Sequence, residues 1–170
     1  MMRFLQYLIV IGALAGSIAR SQSTGTGRAV ATITATATVV GNLDLVVMRD
    51  LEFEISSLSP TELIVDPQKD QHSGEIKIVG TPGGLVRLTV ETQSVLRHES
   101  GQSPLYFTNN LSGSVSEIQR ESILLTHQNQ VRLNDHGVYF LWVGGRLSGL
   151  ENVMPGNYDM ELTVELEYIQ

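Results

Sequence analysis

Histidine is the side chain best suited to acid–base or metal chemistry near neutral pH, and this chain has four. They are His72, His98, His127 and His136. All four fall in polar, loop-like stretches, and none is paired at the spacing that metal ligands require. We therefore predict that they are solvated loop residues.

Asp135 and His136 together could belong to a hydrolase triad completed by a serine elsewhere in the chain. Such a triad needs a serine at a sharp strand-to-helix turn, and the sequence contains no GxSxG elbow. We therefore predict no nucleophilic catalysis.

Two groups of acidic residues could also do chemistry. Asp66, Asp70 and Glu75 surround Gly74, but the order of acidic positions before a central glycine that defines an EF-hand is missing. A second group shares one face of the last predicted strand, where glycosidases can place paired carboxylates. Its members are Glu161, Glu165 and Glu167. An all-exposed row offers no difference in environment that would assign an acid and a nucleophile, and acids on an edge strand are a usual defence against stray pairing. We therefore predict neither a calcium site nor glycoside hydrolysis.

Glycine pairs and one sequon are the remaining local signals. Pro82-Gly83-Gly84 and Gly144-Gly145 are predicted turns, since neither opens a helix with the Lys-Ser/Thr of a phosphate-binding loop. Asn110-Leu111-Ser112 matches the glycosylation sequon, which we attribute to chance. The sequence thus predicts no catalytic, cofactor-binding or metal-binding residue, and no enzyme.

Tyr139, Phe140 and Trp142 form an aromatic group that could stack on a carbohydrate if its rings were exposed. Alternation along the chain puts Tyr139 on the side opposite Phe140 and Trp142. A β-sandwich core commonly contains one buried tryptophan, and that is the fate we predict for Trp142.

Composition removes further classes of function. The chain of 170 residues has no cysteine, which excludes disulfides, thiolate metal sites and cysteine nucleophiles. Apolar residues make up 42% and aromatic residues only 6%, so an aliphatic core is expected. The formal charge of −7 disfavours binding to nucleic acid.

The N-terminus has the three-part layout of a secretory signal, residues 1–21. Met1 to Arg3 is cationic, Phe4 to Gly16 is apolar except for Gln6, and the small residues Ala19 and Ser21 occupy positions −3 and −1. We predict cleavage before Gln22, with cleavage after Ala19 as the second choice. The mature chain would carry no transmembrane segment and would lie in the bacterial periplasm, at the cell surface or outside the cell.

Period-two alternation then predicts a single all-β domain over 22–170, after a flexible leader at 22–27. A long strand is expected from Arg28 to Val40, and shorter predicted strands follow along the chain: 43–47, 50–55, 62–65, 75–80, 85–92, 105–108 and 138–143. Residues 75–92 read as a hairpin around the turn 81–84. We expect breaks at 109–113 and after 143, and the stretch 114–126 could form a helix.

The last predicted strand, 158–169, has the cleanest alternation. The apolar set on one face is Tyr158, Met160, Leu162, Val164, Leu166 and Tyr168; the other face carries Asp159, Glu161, Thr163, Glu165 and Glu167. Many short strands with frequent turns are typical of an antiparallel, immunoglobulin-like β-sandwich.

Five segments in a fixed order resemble a family of secreted Gram-negative bacterial domains of unknown function and, more distantly, the pilin-like spore coat U group. They are the Ala/Thr strand at 29–37, Leu51-Glu52-Phe53, the stretch 78–84, the strand end 141–145 and Pro155-Gly156-Asn157-Tyr158. The charged stretch Met48 to Glu54 departs from the Gly-rich connection expected there. The resemblance implies an immunoglobulin-like sandwich with a pilin-like or surface role, and supplies no catalytic residue.

Together these observations predict a non-enzymatic, exported subunit of an extracellular fibre or surface layer. Its partners would be proteins, through self-assembly or another envelope protein, and its chains would join by β-strand pairing, with residues 22–40 as the exchanged segment. The alternative is a monomeric binding module that recognises a glycan or an envelope protein through its loops.

Overall fold

The computed structural model describes residues 27–31, 42–55, 61–101, 104–150 and 158–169. These residues form thirteen strands and one 3₁₀ turn, Gln119–Glu121. The strands are β1 (Gly27–Ala31), β2 (Asp44–Arg49), β3 (Leu51–Ile55), β4 (Glu62–Val65), β5 (Gly74–Val79), β6 (Leu85–Val90), β7 (Gln93–His98), β8 (Leu105–Ser114), β9 (Ile123–Leu125), β10 (Gln128–Arg132), β11 (Val138–Ser148), β12 (Tyr158–Met160) and β13 (Val164–Tyr168). All their pairings are antiparallel, which confirms the predicted all-β, antiparallel class.

Two long neighbouring strands, β8 and β11, form the centre of the large sheet. On the far side of β11, β5 pairs with its first half and β4 with its second half. On the far side of β8, β7 pairs with its first half and β9 with its second half. With β2 on β5 and β12 on β7, each half of the large sheet is five strands wide.

The small sheet has three strands in the order β10-β6-β13, and β1 and β3 form a separate pair. Two segments connect the sheets: β6 of the small sheet continues into β7 of the large one, and β12 of the large sheet continues into β13 of the small one. At this corner the register between the two segments changes, from Val164 opposite Val90 to Met160 opposite Leu96. Strands that switch sheets through such irregularities form the corners between packed sheets.

The core is one cluster of aliphatic and aromatic side chains drawn from both sheets. Its fully buried members include Ile76 and Leu141 from the large sheet and Leu88 and Val164 from the small sheet. The predicted faces of β5, β6 and the final segment are confirmed, because alternate residues of each are buried. A strand with one face on a core must alternate in this way, since successive side chains point to opposite faces.

The predicted hairpin at 75–92 is wrong. The turn exists, with the N–H of Gly84 donating to the carbonyl of Thr81 at 2.9 Å and Gly83 at φ 68°. However, β5 pairs with β2 and β11, whereas β6 pairs with β10 and β13. The turn therefore carries the chain across the core from one sheet to the other, which a local turn signal does not distinguish from a hairpin.

Predicted breaks also proved to be strand interior. Asn109 to Gly113 lies within β8, and Gly144-Gly145 lies within β11 with both glycines buried. The final segment is two strands in two sheets instead of one, and Glu161 falls in the connection between them. The possible helix at 114–126 is only the 3₁₀ turn followed by β9. Strands β7 and β10 were not predicted.

Asn109 explains why the sheet corner forms where it does. This fully buried side chain donates through Nδ2 to the carbonyl of Glu91 at 2.7 Å and to Ser94 Oγ at 3.1 Å. Its own N–H donates to the carbonyl of Thr92 at 3.0 Å. Residues 91–94 are the bend between β6 and β7, so Asn109 satisfies backbone groups that neither sheet can pair there.

The predicted signal, residues 1–21, and most of the leader lie outside the described residues, and Gly27 of the leader is already the first residue of β1. Of the predicted strand 28–40, residues 28–31 belong to β1, which pairs with β3 of the same chain, and the remainder lies outside the described residues. Among the described residues no helix is long and apolar enough to cross a membrane.

Candidate functional site

The acidic loop residues hold their own loop together. Asp66 Oδ1 accepts the N–H of Gln68 at 2.9 Å, and Asp70 Oδ1 accepts the N–H of His72 at 2.9 Å. Glu75 belongs to β5 and pairs with Arg49, whose Nη2 lies 3.4 Å from Glu75 Oε2. Within the described ranges no three acidic or histidine side chains are placed to share a metal ion.

Two of the four histidines are exposed, as predicted, and the other two are not. His72 and His136 are exposed and His127 is half-buried, but His98 at the end of β7 is buried. The N–H of Ser100 donates to Nδ1 of His98 at 3.1 Å, and the ring packs edge-on against Tyr158 with 4.9 Å between ring centroids. The prediction failed for His98 because β7 was not recognised as a strand with an inward face.

The acidic row on the closing segment is divided. Glu165 and Glu167 are exposed on β13, and Glu167 binds Arg87 of β6, with Oε2 2.7 Å from Nη1. Glu161 lies outside the strand, so the three carboxylates do not form the continuous stripe that the sequence predicted.

Trp142 is buried, as predicted, but not in the main core. Tyr139 and Leu141 face the core, whereas Phe140 and Trp142 occupy the opposite, outer face of the large sheet and stack with 6.2 Å between centroids. Burial raises the pKa of Tyr139 to about 12, so its hydroxyl stays protonated in the folded protein. Both faces of β11 are therefore covered.

A polar clamp, defined here as Gln68, Ser112, Gln119 and Ser122, ties the loop 66–73 to the 3₁₀ turn on this outer face. Gln119 Nε2 contacts the carbonyl oxygens of Pro67 and Asp70, each at 3.0 Å. Ser112 Oγ donates to the carbonyl of Pro67 at 2.9 Å, and Gln68 Nε2 donates to the carbonyl of Ser122. Because Ser112 is the cross-strand partner of Trp142, the clamp lies on the same face as that ring.

The segment after the clamp is the most apolar exposed edge of the described protein. In β9, Ile123 and Leu124 are each 65% exposed. Val115 and Ile118, which precede β9, are also exposed. One side of β9 pairs with β8, and no strand in the described ranges pairs with its other side. We call β9 with Val115 and Ile118 the apolar edge.

One row of cross-strand partners shows why this edge is uncovered. The row runs across the large sheet through Val47, Ile76, Leu141, Gly113 and Ile123. Ile76 and Leu141 in the middle of the row are 0% exposed, whereas Val47 is 37% and Ile123 65% exposed. Three strands spaced ~4.8 Å apart do not span five. At this row Val47 and Ile123 on the outermost strands are exposed, whereas Leu45 and Leu125 on the same faces pack against the core.

A cleft of about 360 Å³ lies beside β9. It lies between the loop after β4 and the middle of β8, and its described lining is Ile64, Val65, Asp66, Pro67, Gln68, Asn110, Leu111, Leu124 and Leu125. The sequon residue Asn110 is exposed there, while Ser112 is buried in the clamp. Aliphatic walls with a carboxylate and carboxamides at the rim suit an extended polypeptide with one bulky apolar side chain.

Sequence reasoning missed the apolar edge because Ile123-Leu124-Leu125 is too short to show a period, although three consecutive aliphatic residues between polar ones were a usable signal. No family model and no curated protein matches this sequence.

Proposed function

We propose that this protein is a non-enzymatic, exported subunit of an extracellular fibre or surface layer, with an immunoglobulin-like, pilin-like sandwich fold. Its chains join by β-strand pairing at the apolar edge, where a strand from a second copy is added to β9. The observation that carries this proposal is the exposure of Ile123 and Leu124 on a strand with one unpaired side in the described ranges. Adding a strand satisfies backbone groups and covers apolar side chains in a single step.

The apolar edge is a better acceptor than the other end of the same half-sheet. Strand β2 also exposes apolar residues, including Val46 and Met48. However, its register shifts between Val47 and Arg49, and charged residues occupy its two ends. A bulge and terminal charges protect an edge from pairing, and β9 has neither.

The chemistry-bearing residues support a structural role. Asp66, Asp70 and His72 bond to their own loop, and Glu167 bonds to Arg87. The likeness of five segments to secreted, pilin-like domains points in the same direction. Export is part of the proposal, since a fibre subunit must leave the cytoplasm.

Charge placed on the apolar edge should prevent assembly without unfolding the protein. We expect the double variant Ile123→Lys with Leu124→Lys to sediment as a monomer under conditions in which the wild type forms dimers or larger species. Both side chains are exposed, so the cost in folding stability should be within about 0.5 kcal/mol per site. Analytical ultracentrifugation, with circular dichroism as the check of folding, makes the measurement.

The matched control is Tyr106→Lys, which changes an apolar side chain 50% exposed on β8 in the other half of the large sheet. It should assemble like the wild type. A wild type that stays monomeric at high concentration would replace the fibre subunit with the monomeric binding module.

Export has its own measurement. The intact mass of protein recovered from the periplasm or medium of a Gram-negative host should correspond to a chain that starts at Gln22 and carries no lipid. Recovery of a chain that retains Met1, from the cytoplasm alone, would remove the surface role.

A further inference from the structure

The outer face of the small sheet carries polar groups that neither the core nor the apolar edge uses. Cross-strand pairing places Gln128, Thr89 and Glu165 in one row and Gln130, Arg87 and Glu167 in the next. Three strands ~4.8 Å apart and two residues along each give a rigid grid of about 10 by 7 Å. We call these six residues the polar platform.

The β10 side of the platform borders a depression and carries unused hydrogen-bonding groups. A depression of about 350 Å³ is lined by Arg87, Gln128, Asn129 and Gln130. Asn129 is already bonded to Thr126, but the carboxamides of Gln128 and Gln130 bond to no described residue. Arg87 donates through Nη1 to Glu167, which leaves the other N–H groups of its guanidinium for a ligand.

The mixture of groups indicates the class of ligand. A carboxamide both donates and accepts, a guanidinium only donates and a carboxylate only accepts, so together they match hydroxyl groups, which do both. Glu165 and Glu167 disfavour anionic ligands, as does the net charge of −7. A flat strand surface suits an extended chain of sugar rings better than a compact metabolite.

We propose that the polar platform is a binding site for a neutral oligosaccharide. Arg87 and Gln130 hold the central ring through its hydroxyl groups, and Gln128, Thr89 and the two glutamates contact its neighbours. No aromatic ring lies among the six residues, so stacking contributes nothing and the affinity is low, with a Kd of about 1 mM. The site is separate from the apolar edge, so one subunit can assemble and bind a glycan at the same time.

Titration of ¹⁵N-labelled protein with maltohexaose, cellohexaose and N-acetylchitohexaose tests the proposal. At least one of these probes should shift amide resonances of β6, β10 and β13, and not those of β9. Gln130→Ala should weaken that probe about tenfold, the loss expected for a hydrogen-bonding group that contacts the ligand directly.

The control variant is Gln93→Ala, an exposed glutamine on β7 of the large sheet, which should bind like the wild type. The Ile123→Lys and Leu124→Lys double variant should also bind the sugar, which separates this site from the assembly edge. The proposal is overturned if no probe shifts the platform resonances, if Gln130→Ala binds as tightly as the wild type, or if polygalacturonate binds as well as the neutral probes.

Discussion

Val164→Asp should abolish the folded state of this protein. Val164 is 0% exposed in β13, faces the core and lies opposite Val90 of β6. A carboxylate at this position would be ionised without a partner or would have to bind a proton at a cost in free energy. We expect a loss of more than about 4 kcal/mol, which is comparable with the whole stability of a typical domain.

The adjacent residue supplies the control. Glu165 lies on the same strand, but its side chain is on the outer face of the sheet and is exposed. Glu165→Lys should therefore change the free energy of unfolding by no more than about 0.5 kcal/mol. Far-ultraviolet circular dichroism with urea unfolding measures both variants. Equal effects would mean that the two faces of β13 have been exchanged.

Gly144→Ala should have the second largest effect, because there is no room for a Cβ atom. In the native backbone that atom would lie against the carbonyl oxygen of Val65, 2.8 Å from Pro67 N and 2.9 Å from Pro67 Cδ. These are backbone and ring atoms of a segment that pairs with β11 through Val65, so no flexible side chain can move aside. We expect a loss of about 3 kcal/mol or more.

The substitution should also weaken the hydrogen bonds of the polar clamp, because the Pro67 carbonyl that would move accepts hydrogen bonds from Ser112 and Gln119. Gly101→Ala is the matched control: it has a left-handed φ of 74° but no atom within 4 Å of the added Cβ. It should cost only about 1 kcal/mol. Urea denaturation of the two variants distinguishes the cost of the steric clash from the cost of backbone strain. If Gly144→Ala were as stable as Gly101→Ala, the loop 66–73 would be able to move away from the added Cβ at little cost.

Gly144 and Gly145 show why a local glycine signal does not distinguish a turn from the interior of a strand. Two adjacent glycines after an aromatic strand are typical of a strand end, so the local sequence predicts a turn there. In the protein they lie in the middle of β11, because a neighbouring loop passes too close for any side chain. The need for glycine arises from a segment almost eighty residues earlier in the chain, so no local window contains it.

The sequence by itself determined which sides of β5, β6 and the closing segment face the core. Period-two alternation in β5, β6 and the closing segment placed Ile76, Leu88 and Val164 inside, and all three are 0% exposed. This information is local, because a strand shifted by one residue would bury its charged face. The absence of disulfides and the largely aliphatic core also follow from the composition alone.

Only the tertiary structure decided which strands are neighbours and where the uncovered surface lies. The turn at 81–84 is the same in a hairpin and in a crossing between sheets, and the distinction depends on the partners that β10, β11 and β13 offer. Asn109 fixes the sheet corner through residues 91 and 94, which lie far from it in sequence. The exposure of Ile123 follows from the different widths of two sheets. Strand pairing and sheet width depend on contacts between residues that are far apart in the sequence. The type of one residue and of its sequence neighbours therefore does not reveal them.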